Sequence, residues 1–285
     1  MNPYTKFVTD AARLVSEAKQ FPLGGFPPAP RPTLPADAPR ALFFAPHPDD
    51  ETIVGGLALR LLREAKMNVI NVAVTQGSKR ERQAERLVEL QNACRYIGFG
   101  VQTTSPNGLE RVTVKTRQND PVHWSSMIKV IADILIKHQP RIIFFPHERD
   151  WNGTHIGVHH LVMDALRTML PGFECFVVET EFWGAMDTPN LAVEISEADL
   201  TDLIVATTFH VGEVQRNPYH LSLPAWMMDN VRRGAELVGG QGGAAPAFQF
   251  AALYRLSKWS HGSRSAVFGV GKFLSKTENP ASLFS

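Results

Sequence analysis

The chain has 285 residues with 29 basic and 28 acidic side chains, so its formal net charge is +1. This balance excludes a strong electrostatic attraction to nucleic acid or to an anionic membrane surface, so the expected partner is a small molecule. Only two cysteines occur, the N-terminus lacks a continuous apolar segment, and no run approaches the roughly 20 apolar residues of a membrane span. We therefore expect a cytoplasmic protein without a membrane span, and leave homo-oligomer formation open.

The first 40 residues are typical of a helix followed by an irregular arm. Apolar residues recur at helical spacing between residues 4 and 20, and seven prolines lie between residues 21 and 40, where they stop regular structure. We expect residues 1–40 to form this helix and proline-rich arm, and residues 41–285 to form a single domain.

From residue 41 onward, short apolar runs alternate with amphipathic stretches. We expect strands at 41–45, 69–74, 141–145 and 173–178, and helices at 51–66, 80–97, 121–138 and 155–169. This alternation predicts an α/β fold of the Rossmann-like type, with a mostly parallel sheet and helices on both faces. Residues from about 200 to 285 do not continue this alternation, and we expect them to form a smaller flank of loops around one helix at 227–238.

A first polar cluster follows the first predicted strand directly. The segment Pro46-His-Pro-Asp-Asp-Glu51 delivers an imidazole and two carboxylates to a junction between strand and helix. Residues 47 and 50 can face one point while Asp49 lies beside it, which suits two ligands of a zinc ion and one adjacent base. The alternative is that Asp49 or Asp50 only caps the following helix.

A second polar cluster, at 146–155, follows the predicted strand at 141–145. Because ligands collect at the carboxyl ends of parallel strands, we expect the two clusters to meet at one sheet edge. His155 is the favoured third ligand, and His159 is the alternative, although the pair lacks the glutamate of an HExxH motif. His147 either contacts substrate or ends the strand.

These two clusters, with Arg86-Leu-Val-Glu89, Ala93 and Ile97-Gly98 between them, resemble the PIG-L or LmbE-like family of zinc deacetylases. The similarity extends from about residue 41 to residue 166. It implies a Rossmann-like fold, one zinc ion bound by His47, Asp50 and His155, and Asp49 as the general base. The implied reaction is hydrolysis of an N-acyl amide, usually N-acetyl, on an amino sugar such as N-acetylglucosamine or its conjugates, giving acetate and a free amine.

The resemblance also implies substrate contacts. The arginine that matches Arg86 reaches the substrate pocket in the family, whereas helix spacing alone favours an exposed charge paired with Glu85 or Glu89. Asp150 matches an acidic position found in some relatives, and we expect it to orient His155 or to bind substrate.

The second motif departs from the family pattern at one position. Relatives commonly have His-Pro-Asp-His where this chain has Asn152-Gly-Thr-His155, so the ligand is kept and the helper histidine is replaced. Asn152 can hydrogen-bond to substrate but cannot transfer a proton near neutral pH. Protonation of the leaving amine then falls to Asp49 itself or to another imidazole, for which His210 and His220 are the candidates.

Three other functions compete with the deacetylase. A zinc-binding relative without turnover is the main rival because of Asn152, and a hydrolase of a different amide or ester could use the same ion or another divalent one. A nucleotide-binding module is disfavoured, since the first strand is followed by His47-Pro-Asp-Asp50 in place of a glycine-rich phosphate loop. Trp151, Trp226 and Tyr219 are candidates for stacking on a sugar or for core packing.

Overall fold

A computed structural model describes residues 2–285, so the first residue of the expected N-terminal segment lies outside the described residues. The strands are β1 Arg40–Ala45, β2 Asn68–Ala73, β3 Gly100–Thr103, β4 Ile142–Pro146, β5 Cys175–Thr180, β6 Leu191–Glu194, β7 Ala251–Ser260, β8 Ser263–Ala266 and β9 Lys272–Leu274. The α-helices are α1 Pro3–Ala18, α2 Asp50–Ile53, α3 Gly56–Arg63, α4 Gln83–Ile97, α5 Val114–Asn119, α6 Pro121–His138, α7 Gly153–Arg167, α8 Glu197–Thr207, α9 Val211–Arg216 and α10 Leu223–Leu237. Short 3-10 turns cover Arg80–Arg82, Tyr219–Ser222 and Pro280–Phe284.

One central sheet organises the chain, in the order β3-β2-β1-β4-β5-β7-β6-β9, with β8 paired to β7. The first five of these strands are mutually parallel, and β7 runs antiparallel to β5. The central strands are apolar along their length because helices cover both faces of the sheet; Phe43 and Phe144 lie in the core of one face, and Leu42 and Phe145 in that of the other. The predicted Rossmann-like α/β fold is confirmed.

The C-terminal segment differs from the expected flank of loops and one helix. It does contain α10, close to the predicted helix, but it also supplies β7, β8 and β9, and β7 and β9 together with the preceding β6 extend the same sheet beyond β5. The backbone of β7 pairs with β5 over six consecutive residues. This pairing joins segments far apart in the chain, so local periodicity gave no sign of it.

The helix expected at 51–66 is interrupted by Gly55. A Cβ atom at this position would lie 2.0 Å from the carbonyl oxygen of Glu51, so only glycine allows the close approach. As a result, the single turn of α2 ends at Ile53 and α3 begins at Gly56. The short α2 keeps Asp50 and Glu51 beside the end of β1.

The N-terminal arm leads from an exposed helix to the body of the protein. None of the side chains of α1 is buried. In the arm, Leu23, Phe26 and Leu34 pack against the main hydrophobic core, and the backbone N–H of Ala29 donates to the carbonyl of Tyr96 at 3.0 Å. Across residues 2–285, no helix combines the length and the apolar character that crossing a membrane would require.

Candidate metal centre and catalytic base

The two polar clusters meet at the carboxyl ends of β1 and β4, which are neighbouring parallel strands. His47 lies in the turn between β1 and α2, Asp50 is the first residue of α2, and His155 lies in the first turn of α7 after β4. The Nδ1 atom of His47 is 3.3 Å from the Nε2 atom of His155. Segments about a hundred residues apart in the chain therefore place their side chains at one point.

The three predicted ligands have the spacing of a tetrahedral metal site. The Oδ2 atom of Asp50 lies 3.3 Å from His155 Nε2 and 3.7 Å from His47 Nδ1. Ligand atoms bound about 2.0–2.1 Å from a tetrahedral zinc ion are roughly 3.3 Å from one another. Two imidazole nitrogens and one carboxylate oxygen are also the donor types that zinc prefers, so the residues present fit this ion.

Two carboxylates flank the His155 ring. Asp150 Oδ2 lies 3.6 Å from the Nδ1 atom of His155, on the side away from Asp50, and has no hydrogen-bond partner within the described chain. Burial acts to lower the pKa of His155, but the charges of Asp50 and Asp150 outweigh it and raise this pKa to about 10. The site thus favours a positive charge at this position, which a proton or a metal cation can supply.

Asp49 is buried beside this trio in a backbone conformation that is rare outside glycine, with a φ of 125°. Its N–H donates to Glu51 Oε2 at 3.1 Å, and its Oδ2 accepts a hydrogen bond of 2.6 Å from the hydroxyl of Tyr219. Burial and the adjacent charge of Asp50 raise the pKa of Asp49 to about 7. A carboxylate with this pKa can both accept and donate a proton near neutral pH.

The hydrogen bond from Tyr219 to Asp49 was not predicted from the sequence. Sugar stacking or core packing were the expectations for this residue, and its ring does pack edge-on against Trp183 at 5.9 Å. Its hydroxyl, however, is bound to the base. No local pattern indicates that contact, because Tyr219 lies 170 positions after Asp49 in the chain.

Both candidate proton donors, His210 and His220, are buried. His210 is fully buried, and its Nε2 atom is 2.9 Å from Glu51 Oε1; burial opposes its protonation, but Glu51 outweighs burial and raises the pKa of His210. His220 follows Tyr219 in the chain, and burial lowers its pKa. The ring of His210 is therefore committed to Glu51, which in turn holds the backbone of Asp49.

Arg86 lies against the first cluster. Its guanidinium donates to the carbonyl of Pro48 at 3.0 Å and lies 3.9 Å from Glu213. A Cβ atom on Gly77 would come within 2.2 Å of Arg86 Nη1, so the glycine makes room for this side chain. Arg86 is thus largely buried next to Asp49, unlike the exposed helix charge considered as the alternative.

Two other predicted substrate contacts are occupied by structural hydrogen bonds. The ring of His147 lies between the carbonyl of Gly184, at 2.9 Å, and the N–H of Arg149, at 3.3 Å. The side chain of Asn152 accepts a 2.9 Å bond from the N–H of Thr154 and caps α7. An asparagine followed by a helix is a common capping signal, and it accounts for Asn152 without a substrate.

His159, the alternative third ligand, points to a different cluster. Its Nδ1 atom is 3.1 Å from the carbonyl of Pro146 and 3.4 Å from Glu179, and Glu148 lies close by. Arg255 binds Glu179 at 2.6 Å and also contacts Glu148. The carboxylates of Glu148 and Glu179 are therefore already neutralised by the guanidinium of Arg255.

A cavity of about 370 Å³ opens beside His47. Its walls come from the loop after β2, which includes Thr75, from the loop between β3 and α5, which includes Glu110, and from Gln83 at the start of α4. Arg80 joins the two loops through a 2.7 Å ion pair with Glu110. The cavity is rich in hydrogen-bonding groups, as a polar small molecule requires.

Comparison with known proteins finds a family model that matches part of the chain. A family model described as PIG-L, GlcNAc-PI de-N-acetylase, matches residues 42–166. This range includes both polar clusters and ends before β5. No curated protein matched the sequence.

Solved structures share the fold at low sequence identity. An N,N'-diacetylchitobiose deacetylase from Pyrococcus horikoshii has 18% identity and a TM-score of 0.54, with 90% of this chain and 93% of that chain covered. The zinc-inhibited form of the teicoplanin deacetylase Orf2 has 15% identity and a TM-score of 0.54, covering 79% and 98%. A 4-carboxy-2-hydroxymuconate hydratase from Pseudomonas putida has 15% identity and a TM-score of 0.55, covering 76% and 95%. One architecture thus carries deacetylases and a hydratase, so the likeness concerns the fold, and the reaction has to be argued from the site.

Proposed function

Residues 42–166 of this chain match the PIG-L family model, and on this basis we propose that the protein is a zinc-dependent N-deacetylase. Its substrate is a small molecule that carries an N-acetyl amide on an amino sugar or sugar conjugate, and its products are acetate and a free amine. The proposal rests on one observation. The side chains of His47, Asp50 and His155 lie close together, and the protonatable carboxylate of Asp49 lies beside them.

His47, Asp50 and His155 would hold the zinc ion, and Asp150 would orient the His155 ring from its far side. A zinc ion with three protein ligands supplies Lewis-acid chemistry, because it polarises the amide carbonyl and lowers the pKa of a water molecule toward about 7.

Asp49 would carry the proton transfers. Its carboxylate takes a proton from the attacking water as the water oxygen bonds to the carbonyl carbon of the amide. The resulting carboxylic acid then donates this proton to the amide nitrogen while the C–N bond breaks, which releases the amine. The pKa of about 7 supports both roles in one residue.

Several contacts favour Asp49 over an imidazole as the proton donor to the amine. The position of the family's helper histidine is taken by Asn152, which caps α7. His210 is bound to Glu51 and fully buried. Tyr219 holds one oxygen of Asp49 through its hydroxyl, and this leaves the other oxygen for the water and then for the amine.

The cavity beside His47 supports a sugar-like substrate. Its walls offer hydroxyl, amide, carboxylate and guanidinium groups in a volume of about 370 Å³. A sugar ring presents many hydroxyl groups, each of which needs a hydrogen-bond partner when it leaves water. The guanidinium of Arg86, beside Pro48, is positioned to stabilise negative charge that develops near the carboxylates.

Two variants test the assignment with purified, zinc-loaded protein and a panel of N-acetylated sugars. Asp49→Asn should keep its zinc and lose orders of magnitude in acetate release, because an amide cannot take the proton. His155→Ala should lose zinc, measured by elemental analysis. Asp133→Asn is the matched control, since Asp133 is exposed on α6 and forms an ion pair with Lys129. Wild-type turnover in Asp49→Asn would refute the assignment of Asp49 as the general base. Unchanged zinc content in His155→Ala would mean that another residue is the third ligand.

The replacement of the helper histidine by Asn152 favours one alternative, a zinc-binding relative without turnover. The same panel separates the two functions. Zinc content near one ion per chain without acetate release from any N-acetylated sugar would support the inert relative, whereas release that depends on Asp49 supports the enzyme.

A further inference from the structure

Helix α1 presents an apolar face that no residue within 2–285 covers. The 16 residues Pro3–Ala18 form a regular helix, capped by the side chain of Asn2, yet none of its side chains is buried. Five large apolar side chains lie on one side of it, between 46% and 73% exposed: Tyr4, Phe7, Val8, Leu14 and Val15. Together they expose on the order of 600 Å² of apolar surface, at the upper limit of what a monomer usually leaves in water.

The sequence of this helix repeats every seven residues. Residues 4–10 read Tyr-Thr-Lys-Phe-Val-Thr-Asp, and residues 11–17 read Ala-Ala-Arg-Leu-Val-Ser-Glu. Five of the seven positions keep the same chemical class, including a base, two apolar residues, a hydroxyl and an acid. A strict heptad repeat of apolar residues is the pattern of a helix that packs along another helix.

The charged side chains lie away from the apolar face and neutralise one another. Arg13 binds Glu17 at 2.9 Å and lies 3.7 Å from Asp10, which also contacts Lys6. A surface helix that binds anionic lipid normally carries an excess of basic residues on its polar face. In α1 these bases are paired with acids of the same face, so the pattern favours a protein partner over a membrane.

The repeat makes the apolar face complementary to itself. When two copies of α1 pack antiparallel about a two-fold axis near Ala11, the first heptad of one faces the second heptad of the other, so that Phe7 lies opposite Leu14 of the second copy. The charges of Lys6 and Arg13 stay on the outer side of both helices. Such a pair would bury at most about 600 Å² of apolar surface per partner, or roughly 1,200 Å² in total, which is the lower limit of a standard interface.

The arm explains why α1 is available for this contact. Leu23, Phe26 and Leu34 attach the arm to the main core, and the N–H of Gly24 donates to Thr208 Oγ1 at 3.1 Å. The arm is thus bound to the body of the protein while the helix before it stays exposed. We propose that α1 is a dimerisation helix, which pairs with α1 of a second copy of this chain.

Sedimentation analysis of the full chain tests the proposal. The wild-type protein should have twice the 31.6 kDa mass of one chain at tens of micromolar, and Phe7→Glu/Leu14→Glu should be a monomer. Thr9→Glu/Ser16→Glu is the matched control, because it adds the same two charges at the same spacing on the opposite side of the helix, and it should remain a dimer. A wild-type monomer at these concentrations, or a dimer that survives Phe7→Glu/Leu14→Glu, would overturn the proposal.

A crosslinking experiment guards against the case in which the charged variant only unfolds the helix. Cys94 and Cys175 are buried, so a new thiol in α1 would be the accessible one. Ala11→Cys should form an intermolecular disulfide under mild oxidation with diamide, and Ser16→Cys should not. Equal crosslinking of both variants, or of neither, would contradict helix pairing, as would binding of monomeric protein to phosphatidylcholine vesicles through α1.

Discussion

Replacing Tyr219 by phenylalanine removes one hydroxyl group and nothing else from the proposed active site. That hydroxyl donates a 2.6 Å hydrogen bond to Asp49, and both residues are buried. The ring of Tyr219 keeps its packing against Trp183 in the variant, so the change isolates the contact with the base. Zinc content should stay unchanged, because Tyr219 is not among the proposed ligands.

The expected loss of activity follows from the strength of this bond. A hydrogen bond to an ionised group contributes about 1.5–3 kcal/mol. If the bond is fully present in the transition state, its loss lowers kcat/KM by roughly 10- to 150-fold. The donor also stabilises the charged carboxylate, so its removal raises the pKa of Asp49 further, and the acidic limb of the pH–rate profile should move to higher pH.

The assay is acetate release as a function of pH, with Tyr96→Phe as the matched control. Tyr96 donates an equivalent 2.7 Å hydrogen bond to Asp202, away from the zinc ligands. The control should lose stability without moving the pH profile. A Tyr219→Phe enzyme within twofold of the wild type, with an unmoved acidic limb, would refute the positioning role of this hydroxyl.

Two further substitutions test the support of the metal site and of the fold. Asp150→Asn should weaken zinc binding by about 10- to 100-fold in a chelator competition, because the amide no longer supplies a charge beside His155; unchanged affinity would contradict that role. Arg60→Met should lower the free energy of unfolding in urea by about 2–4 kcal/mol, because the buried guanidinium donates to the carbonyls of Glu194 and Ser275, which lose their donor. A loss below 1 kcal/mol would mean that those groups find other partners.

The part of the site that could be predicted lies at strand ends. His47 and Asp50 follow a buried strand directly, and His155 opens the helix after another. Once the alternation of strands and helices indicates a parallel sheet, the carboxyl ends of its strands share one edge, and the clusters are expected to meet there. Neither side-chain packing nor long-range pairing is needed for that inference.

The contacts of the base could not be predicted in the same way. His210 directly precedes the short helix α9, and Tyr219 begins a 3-10 turn, so neither spacing nor strand ends restrict their position. The strand β7 escaped prediction for a related reason, because its partner β5 lies far away in the chain. Asn152 is a different case, because its sequence contains a helix-capping signal, whereas the resemblance to the family concerns proton transfer at this position.

The family match and the contacts of the base together divide the site into two parts. The proposed zinc ligands lie within residues 42–166, whereas the segment 209–219 follows that range and contacts the base and its neighbours. Tyr219 binds Asp49, and Glu213 pairs with Arg82 and lies near Arg86. A change in this later segment can therefore alter the base and the surroundings of the cavity without touching a ligand. We accordingly expect substitutions in 209–219 to change kcat and KM at constant zinc content, and substitutions at His47, Asp50 or His155 to change zinc content first.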